Sequence, residues 1–285
     1  MPTLGVHSFV FIGEWDTASG NEAIARAGEI GFGVIEIPML KPDAFDWRSH
    51  RAALDKAGVR PTCSLALPAH LHLPAHPEEA RAFLSRALQA TEAVGSPILG
   101  GCIAYSLGVL TGKPPEASER QIVVEVLRDV AAEAKGRGIT LGLEACNRYE
   151  TYLYNTLADT RDTIRAVGVD NLMLHADTYH MNIEENNFRD AFVETGDVLG
   201  YVHMSESHRG LVGSGTVKWD EVWQGLAEID FDGYLVLESF AAINPDLAAA
   251  TCLWRPPAQS SQTIAVEGLA FLRAGVEKYG LGRTA

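Results

Sequence analysis

The chain has 285 residues, 37 acidic against 23 basic side chains, a formal net charge of -14, and is 47% hydrophobic and 21% charged. That length and balance fit a soluble globular protein of one large domain or two medium ones, with core enough to fold without disulfides or a structural metal. So acidic a surface repels phosphate backbones and anionic lipid, arguing against nucleic-acid and membrane partners, and no run approaches the roughly 18 apolar residues of a membrane span.

Short apolar runs alternate with amphipathic stretches of helical length along the whole chain. LGVHSFVFI (4–12) comes first, then the helical EAIARAGEIG, the strand GVIEIP (33–38) and the helical WRSHRAALDKAG. RPTCSLALP (60–68) and SPILGGCIA (96–104) each precede a long helical stretch, EEARAFLSRALQATEAVG and QIVVEVLRDVAAEAKGRG. TLGLEACN (140–147) leads to LADTRDTIRAVG, and NLMLHADTYH (171–180) to FRDAFVETG. LGYVHMSES (199–207) leads to WDEVWQGLAEID, and GYLVLESF (233–240) to TIAVEGLAFLRAGVEKYG. Gly closes most of the early helices just ahead of the next strand, as a helix C-cap requires.

Eight strands and eight helices in strict alternation predict an α/β fold, a (β/α)8 TIM barrel forming one domain over 1–285. A doubly wound open sheet is the competitor, but no GxGxxG follows the first strand. The loops 104–118 and 241–261 are long, and on a barrel such loops cover the catalytic face. The N-terminus, MPTLGVHSFVFIGEW, has no signal-peptide pattern. Cys63, Cys102, Cys146 and Cys252 are scattered without a CxxC pair and read as small buried hydrophobes of a reducing compartment. A cytoplasmic location is expected.

The C-terminal ends of barrel strands open onto the active face. Glu36 lies on the second strand, and Glu144, Asp177, His203 and Glu238 end apolar runs on the fifth to eighth. Each alone could be a solvated strand end or a satisfied core group. Three carboxylates gathered with one imidazole are costly without a cation, so the set predicts one divalent metal. Oxygen-rich ligation with a single His suits Mn²⁺, Co²⁺ or Mg²⁺ better than Zn²⁺.

A second tier lies beyond these residues. Glu150 is six after Glu144, His180 three after Asp177, and Arg209 six after His203. A carboxylate, an imidazole and a guanidinium beside a metal can grip a polyhydroxylated substrate by its oxygens. The bland alternatives are a salt bridge of Glu150 with Arg148, a ligand-orienting role for His180 and a surface charge for Arg209. The acidic tail NIEENN (182–187) reads as loop. GSG (213–215) could cradle a phosphate but is expected to be a flexible loop. His70, His72 and His76 are expected to be exposed in a Pro-containing loop, His7 to be packed inside, and Trp15 and LWRPP (253–257) to be core or pocket wall.

LGLEACNRYETYLYNT, DTYHMNIEE, HMSESHRG with its following GSG, and LVLESF resemble the ketose 3-epimerases, the D-tagatose/D-allulose group of the xylose-isomerase-like barrels. The match runs in order along the chain and is densest over 140–240. The resemblance implies one Mn²⁺ or Co²⁺ ion held by Glu144, Asp177, His203 and Glu238, and substrate gripped by Glu150, His180 and Arg209. It also implies a homodimer or homotetramer acting on a small-molecule sugar. Ala176 stands where relatives carry a larger aliphatic, and Ala145 and Cys146 replace an aliphatic pair. The loops around 69–76 and 104–118 are not family constants, so sugar preference is expected to be set there.

The expected reaction is C3 epimerisation of a free ketose through a cis-enediolate, with Glu144 and Glu238 taking and returning a proton on opposite faces. An aldose–ketose or hydroxypyruvate-type isomerase on the same barrel is the nearest rival, yet no Lys sits at these strand ends. An inosose-type dehydratase shares the scaffold, while an abasic-site endonuclease would want more metal-binding His and a basic surface. A non-catalytic sugar-binding barrel would have no use for a proton-transferring pair.

Overall fold

The computed structural model describes residues 1–240 and 245–282. Eight parallel strands close in sequence order, β1 to β8, with β1 pairing β8. They are β1 Thr3–His7, β2 Val34–Pro38, β3 Arg60–Ala66, β4 Ile98–Cys102, β5 Thr140–Glu144, β6 Leu172–Asp177, β7 Leu199–Met204 and β8 Tyr234–Leu237. The predicted barrel is therefore the observed one. Helices α1 Thr17–Ile30, α2 Trp47–Ala57, α3 Pro77–Val94, α4 Ala117–Gly136, α5 Leu157–Val167, α6 Thr178–Glu184 and α7 Phe188–Thr195 follow one another around it. α8 Trp219–Glu228 and α10 Ser261–Tyr279 complete the ring, and the short α9 Pro245–Thr251 lies in the segment between β8 and α10. None of the helices among the described residues is long and apolar enough to cross a membrane.

Local chemistry sets the boundaries. Gly31, Gly58, Gly95, Gly168 and Gly280 cap five helices in the left-handed conformation. Asp16, Asp46, Thr156, Asn187 and Ser260 accept the free backbone N–H groups at helix starts. The main core lies between the strands and the helix ring, with residues such as Ile35, Leu99 and Leu174 fully buried.

Several expected boundaries move. The first strand stops at His7, whose Nδ1 accepts the Phe9 N–H at 3.1 Å and turns Ser8–Val10 into a 3₁₀ turn. The sixth stops at Asp177, whose Oδ1 accepts the Tyr179 N–H at 2.8 Å and starts α6. The segment 178–184 is thus helix, neither strand end nor loop. Beyond it the acidic tail is scaffold. Glu184 takes the Arg148 backbone N–H at 2.7 Å and its Nε and Nη2 at 2.9 and 2.7 Å, so Arg148 pairs with Glu184 and not with Glu150. Glu185 accepts the Leu157 N–H at 2.8 Å, and Asn187 caps α7. The long loop 241–261 contains α9, and its residues 241–244 lie outside the described residues.

Candidate active site

Glu144, Asp177, His203 and Glu238 meet at the C-terminal mouth of the barrel. Asp177 and His203 are register partners on β6 and β7, and Glu144 pairs with His175 across β5 and β6. All four side chains are buried, between 0 and 6% exposed. His203 Nδ1 lies 3.6 Å from a Glu144 oxygen and 3.4 Å from a Glu238 oxygen. The second tier closes on the same point: Arg209 Nη1 donates to Asp177 Oδ2 at 2.7 Å and to Glu238 Oε2, and His180 Nε2 lies 3.5 Å from Asp177 Oδ2.

His203, His180, Glu150 and Arg209 are held from behind. His203 Nε2 donates to Glu36 Oε2 at 2.8 Å, and the Tyr201 hydroxyl donates to the same oxygen at 2.7 Å. That bond fixes the imidazole so that Nδ1 faces the pocket. His180 Nδ1 accepts the Asn147 backbone N–H at 3.1 Å, and Asn147 Nδ2 donates to Glu150 at 2.8 Å. Arg209 has a φ of 58°, an uncommon conformation for a residue with a Cβ. Its N–H donates to the Glu206 carbonyl at 2.8 Å and its carbonyl accepts from Ser239 Oγ at 2.6 Å, while the guanidinium stacks 3.9 Å over the Tyr179 ring. Strain of about 1–3 kcal/mol at such a position is sustained because the surroundings dictate it.

The electrostatics follow from burial and crowding. Burial and the neighbouring Glu238 and Asp177 raise the Glu144 carboxyl, against the opposing pull of His203. Burial would raise Glu238 too, but Arg209 and His203 outweigh it and hold that carboxyl low. Burial pushes Glu150 up to about 7 and His180 down to about 3, so His180 is neutral across the working range.

The donors fit a divalent cation. His203 Nδ1 is buried without a hydrogen-bond partner and is directed among carboxylates. Donor atoms sharing one ion at roughly 2.1 Å sit about 3–3.5 Å apart, close to the spacings around that nitrogen. One oxygen each from Asp177 and Glu238 and a His203 nitrogen lie within 4.8 Å of one another, as do those of Glu144, Asp177 and His180. The Arg209 guanidinium between Asp177 and Glu238 shows the same demand for positive charge.

Four expectations need correction. His72 is buried, accepting the Ser106 N–H at 3.2 Å and bonding the Tyr152 hydroxyl, whereas His70 and His76 are exposed. Cys252 is exposed while the other three cysteines are buried. The GSG segment is neither loose nor open to an anion. The buried Glu206 carboxylate accepts the N–H groups of Ser207, Gly213 and Val217 and the Trp219 indole at 2.8–3.1 Å. His7 is interior as expected, whereas Trp254 is 75% exposed.

The chain matches the xylose-isomerase-like TIM-barrel family over residues 24–274. It is 35% identical over 275 residues to an L-ribulose 3-epimerase of Methylomonas sp. strain DH-1, covering 94% of this chain and 96% of that one. The chain belongs to the ketose 3-epimerase family. Within that family it is also 32% identical to a ketose 3-epimerase of Arthrobacter globiformis, at 95% coverage of both chains. The structure of a D-allulose 3-epimerase from Methylomonas sp. in complex with D-allulose superposes with a TM-score of 0.92 at 34% identity, covering 96% of each chain. Ketose 3-epimerases are sugar isomerases, the enzyme class to which this barrel belongs.

Proposed function

We propose that the chain catalyses reversible C3 epimerisation of a free ketose of the L-ribulose, D-tagatose or D-fructose/D-allulose type. Glu144, Asp177, His203 and Glu238 hold one divalent ion, Mn²⁺ or Co²⁺, with Mg²⁺ also accommodated. The observation that carries this reading is the placement of Glu144, at the end of β5, and Glu238, just after β8, both beside His203 Nδ1 at 3.6 and 3.4 Å. Inversion at a carbon needs a proton acceptor on one face and a donor on the other, and two flanking carboxylates supply both.

When bound, the ion supplies Lewis acidity at the C2 carbonyl and counter-charge for the carboxylates. One glutamate removes the C3 proton and the other returns one to the opposite face, through a cis-enediolate of the substrate. Asp177 and His203 act as ligands only. His180, neutral and with Nδ1 occupied by Asn147, offers Nε2–H to a sugar oxygen. Arg209 and Glu150 hold further hydroxyls. The occupied N–H groups around Glu206 favour an unphosphorylated sugar. The same reading takes 1–285 as one domain and the protein as a cytoplasmic homodimer or homotetramer.

Incubation with Mn²⁺ and D-fructose, D-tagatose or L-ribulose in D₂O tests the reaction. A C3 epimer carrying one deuterium at C3 is expected. A new aldose would instead mark an isomerase, and absence of both turnover and metal binding would refute the proposal.

A further inference from the structure

Cys102 ends β4 and Cys146 lies two residues beyond the end of β5, on the neighbouring strand. Their sulfurs are 3.7 Å apart, and Cys102 Sγ is 3.9 Å from Glu144 Oε2. We propose that Cys102, Cys146 and Glu144 form a second metal site, selective for a thiophilic divalent ion such as Zn²⁺ or Cd²⁺, whose occupation draws Glu144 away from the proposed catalytic ion and stops turnover.

The spacings are close to what such an ion needs, and of the three side chains only the Glu144 carboxylate has to turn toward it. Two thiolates at about 2.3 Å on a tetrahedral Zn²⁺ are roughly 3.8 Å apart, and a thiolate and a carboxylate oxygen roughly 3.6 Å. Both observed separations lie within a few tenths of an ångström of these. Glu150 and His180 border the site, since one ligand atom each from Cys146, Glu150 and His180 lie within 4.8 Å of one another. The backbone is held on each side: Tyr105 donates to the Glu144 carbonyl at 2.9 Å, and Asn155 to the Cys146 carbonyl at 2.8 Å.

Selectivity follows from the donors. Thiolates select Zn²⁺-like ions, whereas Mn²⁺ and Mg²⁺ favour the all-oxygen-and-imidazole set next door. On uptake each thiol releases its proton to solvent, so the site holds two thiolates and one carboxylate around the ion. Both sulfurs are buried, and the Glu144 carboxylate borders both sites. Only the inhibitory consequence rests on the proposed role of Glu144; the binding does not.

The test is titration of the reduced, full-length protein with Cd²⁺, following the ultraviolet thiolate-to-cadmium charge-transfer band. One Cd²⁺ per chain with a two-thiolate band is expected, cut to half or less by Cys102→Ala or Cys146→Ala and unchanged by Cys63→Ala or Cys252→Ala. Cys102→Ser and Cys146→Ser replace the alanine forms should those fail to fold. With saturating Mn²⁺ and each variant compared with its own uninhibited rate, the Cd²⁺ concentration for half inhibition should rise by roughly tenfold or more in either variant, since even a ligand's outer partner is worth 10–100-fold. No band in the wild type, or a full band in the double variant, overturns the site. A normal band with equal inhibition of wild type and variants overturns the inhibitory role. Because the band is read without substrate, a protein that proves not to be an epimerase still answers the first question.

Discussion

Glu36→Gln should weaken the proposed catalytic metal site without touching a ligand. Glu36 is fully buried, and a single oxygen accepts from both His203 Nε2 at 2.8 Å and Tyr201 at 2.7 Å. The amide keeps one carbonyl oxygen but loses the charge, and its NH₂ is turned toward His7, whose Nε2 is 3.8 Å from Glu36 Oε1 and whose Nδ1 is already an acceptor. A bond to a charged acceptor is worth about 1.5–3 kcal/mol against about 0.5–1.5 for a neutral one, so losing the charge costs about 1–2 kcal/mol, and 1.4 kcal/mol is a factor of ten. Mn²⁺ or Co²⁺ affinity should therefore fall by roughly tenfold, the low end of the 10–100-fold range found for partners that orient a ligating His. Calorimetric titration of the metal measures it directly. Tyr201→Phe, which keeps the carboxylate, should cost less than about tenfold. A Glu36→Gln protein that folds normally and binds within about twofold of the wild type would refute the chain of support from Glu36 through His203 to the ion.

Other consequences are equally open to measurement. The Glu144 carboxyl is raised by burial and by Glu238 and Asp177, so it carries a proton that an ion must displace as pH falls. Metal affinity should accordingly drop by up to about tenfold per pH unit as pH falls through neutrality, in titrations at several pH values. Glu206→Gln leaves one oxygen for four donors, so about two buried N–H groups at ~1–3 kcal/mol each should lower the melting temperature by several degrees. Stability that Glu206 contributes should be present above the ordinary carboxylate pKa and fade as pH falls through its depressed folded value, a depression in which its N–H bonds outweigh burial. Gly101→Ala should destabilise strongly in thermal unfolding, because φ is +92° and a Cβ would sit 2.4 Å from the Leu65 carbonyl oxygen.

The barrel was legible because alternation and glycine caps are local signals, and because each strand carries its own apolar run into the core. The converging Glu144, Asp177, His203 and Glu238 were legible for a related reason: strand ends of a barrel share one rim whatever their separation in sequence. Boundaries failed where a single polar side chain overrode propensity, as when Asp177 caps α6 within a run that reads as strand. His72 was misjudged because its partners, Ser106 and Tyr152, come from two other loops. Glu36 was visible on its strand, but its bond to His203 spans 167 residues and crosses the barrel. Nothing in either segment announces it. The meeting of Cys102 and Cys146 did leave a signal, since both stand at the ends of adjacent strands. Glu206, hidden within the HMSESHRG motif, had none beyond its neighbours.

The loop after β7 carries its anion with it. An engineer wishing to fit this barrel for sugar phosphates would find the N–H groups of the loop after β7 already taken by Glu206. Adding lysines nearby would do little while that carboxylate remains. Its removal would free the donors but loosen the turn that sets the backbone of Arg209. Substrate charge and the aim of the guanidinium are therefore coupled traits in this lineage, and a change in one would have to be accompanied by a change in the other.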